Sequence, residues 1–453
     1  MSFNEMKRLG WEQLDVLIVT GDAYVDHPAY GTALIGRLLE SQGYKVGIIA
    51  EPDWKDPQSF TRLGRPRLAV LINAGAVDSM IVNYTANKRP RRDSISHMPD
   101  RACIVYTNCI RAAFKGVPVI LGGIEASLRR LAHYDYWDDK PRRSLLLDSK
   151  ADMIIYGMGE RPLIEVIDRL NKKETISSIR DLPGTVVALK PSELPSGALM
   201  LPSFEEVSQN KAAFNKAFSL AYREMNALRG KPLAQPHADR LVLQLPPALP
   251  LTTEELDRSY DLPYARRWHP SYDAQGGVQG FEVVRWSITA VRGCPAECSF
   301  CSLTMHQGRV IQSRSERSIL KEVERITKDK EFRGTISDVG GPTANLYAAS
   351  CKTWEKAGAC QNKQCMMPEK CPSLKLGLDK AITLYRAIRK IKGVKHVFVS
   401  SGLRYDLLVK PEAQEYLREL CAHHISGQMK VAPEHTQDHV LRLMNKPSYK
   451  VYE

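Results

Sequence analysis

The 453 residues predict an α/β protein, a doubly wound N-terminal domain followed by a partial β/α barrel. Short apolar runs that suit buried strands alternate with stretches whose apolar residues recur at helical spacing. Several of those runs close on glycine, as strands entering tight turns do. The alternation fades over a proline-rich middle stretch and then resumes. Parallel strands joined by helices are covered on both faces, so they are apolar throughout instead of alternating with polar residues.

The first strand is Asp15–Thr20 (DVLIVT), ended by Gly21; the helix Gly31–Ser41 and the strand Val46–Ala50 follow. Further strands are expected at Leu68–Ile72, Ala102–Tyr106, Val117–Leu121 (closed by Gly122 and Gly123) and Met153–Tyr156 (closed by Gly157). They place a doubly wound domain over residues 1–185. Across 186–280, Pro191, Pro195, Pro202, Pro232, Pro236 and the run LPPALP at 245–250 interrupt the pattern. That stretch reads as a connector or lid holding one polar helix, Phe204–Arg229. Alternation returns with the strand Val283–Thr289, the helix Glu316–Thr327 capped by Ser315, the strand Thr335–Val339 and the helix Asp379–Lys392. The strand His396–Ser400, helix Pro411–His423, strand Gln428–Ala432 and helix Thr436–Asn445 complete the order. Four strand–helix units make half a barrel, so residues 281–453 form a partial one and Glu453 reads as the end of a fragment or of a short chain.

With 43% hydrophobic and 25% charged residues the composition is that of a soluble globular protein. No apolar run reaches the roughly 18 residues of a membrane span, and Met1–Trp11 lacks the order of a signal peptide, so the expected address is cytoplasmic, with no membrane partner. Lys and Arg outnumber Asp and Glu by 64 to 51, a net charge of +13. The surplus suits an anionic partner such as a nucleic acid, but the basic groups (Arg89–Arg92, Arg129 with Arg130, Arg142 with Arg143, Arg266 with Arg267) are short and scattered, which favours a basic solvated surface.

Seven of the ten cysteines lie between Cys294 and Cys371, a clustering that in a reducing compartment points to metal ligation. Cys294, Cys298 and Cys301, in VRGCPAECSFCSL at 291–303, directly follow the first strand of the second α/β region. Loops at the C-terminal ends of barrel strands carry the chemistry of such folds. Three thiolates bind three irons of a 4Fe-4S cubane and leave the fourth open to a substrate. The competing readings are buried thiols and a zinc knuckle with His306 as fourth ligand.

The spacing of three and then two residues between these cysteines, with Phe300 before the last, resembles the radical SAM superfamily, named for S-adenosyl-L-methionine (SAM). GDAYVDHPAYG at 21–31, EPDW at 51–54, DSMIVNYTANKRPR at 78–91, LGGIEASLRRLAHYDYWDD at 121–139 and HQGRVIQSRS at 306–315 extend the resemblance, over essentially the whole chain, to the YgiQ-type radical SAM proteins. The resemblance implies a cobalamin-binding-like α/β domain ahead of a radical SAM barrel, with members usually continuing past the equivalent of Glu453. It implies that the open iron chelates the amino and carboxylate groups of SAM and that a flavodoxin or ferredoxin supplies the electron. Reductive cleavage then yields methionine and a deoxyadenosyl radical that abstracts hydrogen from a substrate the resemblance does not name. Phe300 would pack near adenine. Gly340 and Gly341 in DVGGPT resemble the paired glycines that approach the SAM amino group, although Pro342 stands where an acidic residue is common. Ser400, Ser401 and Arg404 in VSSGLRYD, and Lys430, Glu434 and His435 in KVAPEH, are candidates for ribose, carboxylate or substrate, or are satisfied polar strand ends.

Two further features bear on cofactors. The cobalamin signature D-x-H-x-x-G is not met, since Asp26 and His27 are adjacent and Gly31 falls too far on, so a sheet without cobalamin is expected. Cys351, Cys360, Cys365 and Cys371 lie in an insertion, 345–375, too long for an ordinary loop. Four thiols can close a zinc site or an auxiliary Fe-S cluster, and their spacing matches no common zinc module. The favoured function is a radical SAM enzyme, RNA modification being one version of it. The rival is a non-catalytic iron-sulfur binding or sensing protein.

Overall fold

A computed structural model describes residues 1–91 and 98–453. Arg92, the last of the basic group that starts at Arg89, lies outside the described residues. The chain divides into two compact units. Residues 1–26, 30–249 and 268–273 form the first; 27–29, 250–267 and 274–453 form the second.

The first unit is built on a nine-stranded sheet. Its strands are β1 (Val16–Thr20), β2 (Val46–Ala50), β3 (Ala69–Asn73), β4 (Val119–Leu121), β5 (Met153–Ile155), β6 (Thr185–Leu189), β7 (Leu199–Met200), β8 (Leu233–His237) and β9 (Arg240–Gln244). In space they run β7-β8-β9-β6-β5-β4-β3-β1-β2. The first five are parallel in the order 2-1-3-4-5, one of the two common doubly wound arrangements. Side chains alternate between two apolar layers: Leu17, Val19, Val70, Ile72, Val119 and Leu121 face one, and Val16, Ile18, Ala69, Leu71, Ile120 and Ile155 the other. Both faces are covered, which is why these strands read as unbroken apolar runs.

Two sequence expectations change here. Ala102–Tyr106, expected as a strand, is the first part of the helix α1 (Ala102–Ala113). ACIVY is as apolar as a strand, but the continuation decides: Ala102, Cys103, Tyr106, Thr107 and Ile110 are buried along one helical face. The stretch 186–280, read as a connector or lid, supplies β7 to β9 to the sheet, and its residues 250–267 and 274–280 pack into the second unit. Pro236 lies inside β8 without breaking the ladder, because the two-residue β7 pairs only with Leu233 and Ala234 and asks nothing of the missing N–H. The single helix expected at Phe204–Arg229 is two, Phe204–Gln209 and Lys211–Arg223; the Asn210 side chain between them accepts from the N–H groups of Ala212 and Ala213 and caps the second.

Buried polar groups pin the loops that follow β3 and β4. Asp78 pairs with Arg129 at 2.8 Å, and the Glu125 carboxylate, fully buried, accepts from the Ser79 N–H (3.0 Å), the Ser79 hydroxyl (2.6 Å) and the Cys103 N–H (3.1 Å). Truncation strands three donors in a dry site. Glu125→Ala is therefore expected to cost the first unit about 2–3 kcal/mol in urea unfolding, with Glu125→Gln recovering part of it.

The second unit carries a shorter parallel ladder. β10 (Ser287–Thr289) pairs with β14 (Asp338–Gly340), and β13 (Thr335–Ile336) with β15 (His396–Val397). A single bridge, Leu403 to Val431, stands where the strand Gln428–Ala432 is expected. α2 (Glu316–Ile326), α3 (Leu378–Arg389) and α4 (Gln414–His423) cover the ladder with Ile319, Val323, Ile382, Leu384, Tyr385, Tyr416 and Leu420. Ser315 caps α2, its hydroxyl accepting from the Ser318 N–H at 3.1 Å. The fold is thus the α/β class expected: a doubly wound domain followed by a partial β/α barrel. Among the described residues no helix is long and apolar enough to cross a membrane.

Candidate metal centre

The segment 293–311 leaves the end of the short strand β11 (Val291–Arg292) and returns through β12 (Gln312–Ser313), which pairs antiparallel with β11. Gly293 makes the exit. Its φ is +84°, and a Cβ there would stand 2.2 Å from the Val310 carbonyl oxygen. The Cys294 N–H donates to the Gly308 carbonyl at 3.0 Å, the Thr304 hydroxyl to the Cys294 carbonyl at 3.2 Å, and the Cys301 N–H to the Cys298 carbonyl at 3.0 Å. The loop is therefore fixed by its own backbone. Residues far along the chain hold its outer side: the Ser299 N–H donates to the Met444 carbonyl (3.1 Å), and the Asn445 amide to the Glu297 carbonyl (2.9 Å).

Cys294, Cys298 and Cys301 are all free thiols. Cys294 is buried among Ala296, Leu346, Trp354 and Leu407, and Cys298 packs against the same cluster. The Thr343 hydroxyl lies 3.8 Å from the Cys294 sulfur, and Arg404 Nη1 donates to the Cys298 sulfur at 3.8 Å. Burial pushes both thiols up, and the guanidinium pulls Cys298 back. Among the described residues no three His, Cys, Asp or Glu side chains are placed to share one ion. Tetrahedral zinc needs four donors within about 2.0–2.3 Å of a single point, whereas each thiolate of a cubane takes its own iron and the sulfurs stand apart. The donor set of three soft thiols, one of them buried, fits the cubane.

The other sequence candidates fall into distinct places. Phe300, beside Cys301, is 52% exposed and open to a ligand. Gly340 and Gly341 end β14, the neighbour of β10; a Cβ on Gly341 would meet the Val291 carbonyl oxygen at 2.2 Å, so close backbone packing by itself demands glycine. Ser400 and Ser401 serve Asp338: its carboxylate accepts both their N–H groups (2.8 and 3.0 Å) and the Ser401 hydroxyl, while the Ser400 hydroxyl donates to the Ser337 carbonyl. Arg404 is 6% exposed, bidentate to Asp406 (2.8 and 2.6 Å), and its backbone is bonded both ways to the Asn345 amide. Lys430 and His435 are exposed, and Glu434 lies 3.7 Å from Lys446. Thr343, Asn345 and Asn445 were not legible as site residues, since each acts through a partner about 50 or more positions away, and neither Asp406, beside Arg404, nor the buried pair Glu297–Arg309 (3.0 Å) carries a motif.

His27, the nearest approach to a cobalt-ligating histidine, is buried; its Nδ1 accepts from the Ala29 N–H at 3.1 Å and its Nε2 lies 2.7 Å from Arg266 Nη1. Burial, reinforced by Arg266, holds it well below the usual histidine range and uncharged. Asp26 is bidentate to Arg37 at 3.1 and 2.5 Å.

The sequence family described as "Radical SAM N-terminal" matches residues 1–287, and that match places the chain among radical SAM proteins. A UPF0313 protein of Clostridium botulinum (strain ATCC 19397 / Type A) is 51% identical over 460 aligned positions, covering 100% of this chain and 71% of the relative. One from Methanocella arvoryzae is 50% identical, covering 100% and 76%. The chain belongs to the UPF0313, or YgiQ-type, family of the radical SAM superfamily. Among solved structures it is similar to the radical SAM methyltransferase TsrM from Kitasatospora setae with tryptophan and a SAM analogue (TM-score 0.51, 16% identity, 94% of this chain and 60% of that one). It is similar also to the cobalamin-dependent SAM radical enzyme OxsB with aqua-cobalamin (TM-score 0.51, 13% identity, 97% and 47%). These two likenesses establish the fold alone.

Proposed function

We propose that Cys294, Cys298 and Cys301 hold a 4Fe-4S cluster at which SAM binds and is reductively cleaved, and that the enzyme abstracts hydrogen from a substrate yet to be identified. The observation that carries the reading is the three-thiol loop at the C-terminal end of the parallel ladder, backed by a buried guanidinium. When bound, the cluster supplies one electron to the sulfonium of SAM. The chain's own residues do the rest. The glycine-tight neck at Gly293 and the bonds from Met444 and Asn445 fix the thiols. Phe300 offers an exposed ring for adenine, and the β14 end at Gly340 and Gly341 offers backbone for the methionyl amino group. Ser400 and Ser401 follow β15, and Lys430 and Glu434 flank the Leu403–Val431 bridge; these four are the candidates to meet ribose, carboxylate or substrate. A flavodoxin or ferredoxin is the electron donor this chemistry calls for.

Arg404 is better placed to tune the cluster than to bind SAM, because its guanidinium is committed to Asp406 and Cys298. A cation beside a thiolate favours the electron-rich state. Arg404→Gln is therefore expected to lower the reduction potential of the reconstituted cluster by on the order of tens of millivolts, read by redox titration under electron paramagnetic resonance (EPR). An unchanged potential removes Arg404 from this role.

The OxsB structure has aqua-cobalamin bound, so the fold likeness lends no support to the sequence expectation against that cofactor. The residues present do not fit a histidine-ligated cobalamin, since Asp26 is taken by Arg37 and His27 by Ala29 and Arg266. The experiment for the proposal is anaerobic reconstitution with iron and sulfide, then dithionite and SAM, with chromatography for deoxyadenosine. Its formation supports the enzyme reading; a well-formed cluster that leaves SAM intact overturns it in favour of a binding or sensing protein.

A further inference from the structure

The segment 351–374 is a loop closed at its neck by an antiparallel bridge, Ser350 to Lys375, with both backbone bonds at 2.9 Å. Its one helix, Lys352–Ala357, is six residues long. Long loops in compact domains with little secondary structure need something to hold them, and a piece this small cannot bury enough apolar surface to hold itself. All four cysteines of this part of the chain, Cys351, Cys360, Cys365 and Cys371, lie inside it, and all are free.

The fold gathers them. Cys351 is buried in the same apolar cluster as Trp354, Met366 and Leu374, and Cys365 and Cys371 pack against that cluster. The Cys371 N–H donates to the Cys365 carbonyl at 2.8 Å, and Arg309 Nη1 holds the Cys360 carbonyl at 2.9 Å. Cys294 belongs to the same cluster, so the insertion packs directly beside the first thiol site.

We infer that Cys351, Cys360, Cys365 and Cys371 ligate a second iron-sulfur cluster. Four thiolates leave no iron open, so this site is closed to SAM, in contrast to the three-thiol loop beside it. The donor set is wholly soft, with no histidine in the segment. Charge agrees: the stretch 351–375 carries five lysines (Lys352, Lys356, Lys363, Lys370, Lys375) against Glu355 and Glu369, a surplus that offsets the negative charge of a tetrathiolate cluster.

The assignment does not depend on SAM chemistry at the first site, and the test keeps the two apart. The triple variant Cys294→Ala, Cys298→Ala, Cys301→Ala leaves the insertion untouched. Reconstituted anaerobically, the wild-type chain is expected to hold about eight irons and the triple variant about four. The iron of the triple variant should come with matching acid-labile sulfide and an EPR signal, after dithionite, that added SAM does not alter. A second variant, Cys360→Ser with Cys365→Ser in the triple background, should lose that iron while circular dichroism shows both folded. A triple variant that is folded and iron-free overturns the inference. So does one zinc per chain in the purified triple variant, removed by the Cys360→Ser, Cys365→Ser pair.

Discussion

Cys298→Ala is expected to reduce deoxyadenosine formation to the level of a protein-free control while leaving the fold in place. The sulfur lies at the edge of an apolar cluster and is only partly buried, so truncation removes little packing, and the melting temperature should move by no more than a few degrees, about 1 kcal/mol. The loss at the metal is of another order. With one of three thiolates gone, a second iron lacks a protein ligand, and the open position that distinguishes a substrate site from a structural one is no longer unique. Arg404, which now faces the Cys298 sulfur, would be left with Asp406 alone. Near wild-type turnover in Cys298→Ala would mean that another donor completes the site, and His306, in the same loop, is the first to replace.

The first unit's parallel strands are legible from sequence because both faces of each are buried: Val16, Leu17, Ile18 and Val19 are all shielded from solvent, two to each apolar layer. The thiol loop is legible because its chemistry is local, three donors within eight residues. What failed has physical causes. ACIVY at 102–106 has the composition of a strand and the continuation of a helix, and a five-residue window does not separate the two. The prolines of 191–250 suggest a break in structure, yet Pro236 falls where no neighbour needs its N–H. In the second unit the strands shrink to two or three residues, and Val283 and Val284, the start of the expected strand Val283–Thr289, fall in the helix Phe281–Val284, while side-chain networks supply further links. Such networks join residues tens to hundreds of positions apart, as Arg404 does with Cys298, and no spacing rule finds them.

The network with the largest expected effect on stability centres on Glu322, on the buried face of α2. Glu322 is 3% exposed and takes both Arg266 and Arg314 as ion-pair partners. Arg314 donates as well to the Thr289 carbonyl (3.2 Å) and the Ser318 hydroxyl (2.7 Å) and lies over the Tyr260 ring at 4.5 Å. Arg266 donates to the carbonyls of Arg285 (2.7 Å) and Ser287 (3.1 Å). Through these carbonyls the two guanidinium groups grip β10, the strand that leads into the thiol loop. Removing the carboxylate leaves two buried cations facing each other, and Glu322→Ala is expected to cost the second unit about 3–5 kcal/mol. Glu322→Gln, which keeps the volume, should lose most of the same amount, so the charge and not the cavity is what matters. Burial works against the Glu322 charge, but Arg314 and Arg266 outweigh it and hold its carboxyl below the usual glutamate range. A carboxyl depressed on folding stabilises fully above its unfolded pKa and loses that contribution as pH falls through the lower, folded value. The gap between wild type and Glu322→Gln in urea unfolding should therefore be constant near neutral pH and close in acid below the ordinary glutamate range. Hydrogen exchange at Ser287–Thr289 locates the damage: faster exchange there in Glu322→Gln, with the first unit's β1 and β3 unchanged, is the expected pattern. Equal acceleration in both units would show that the triad does not act through β10.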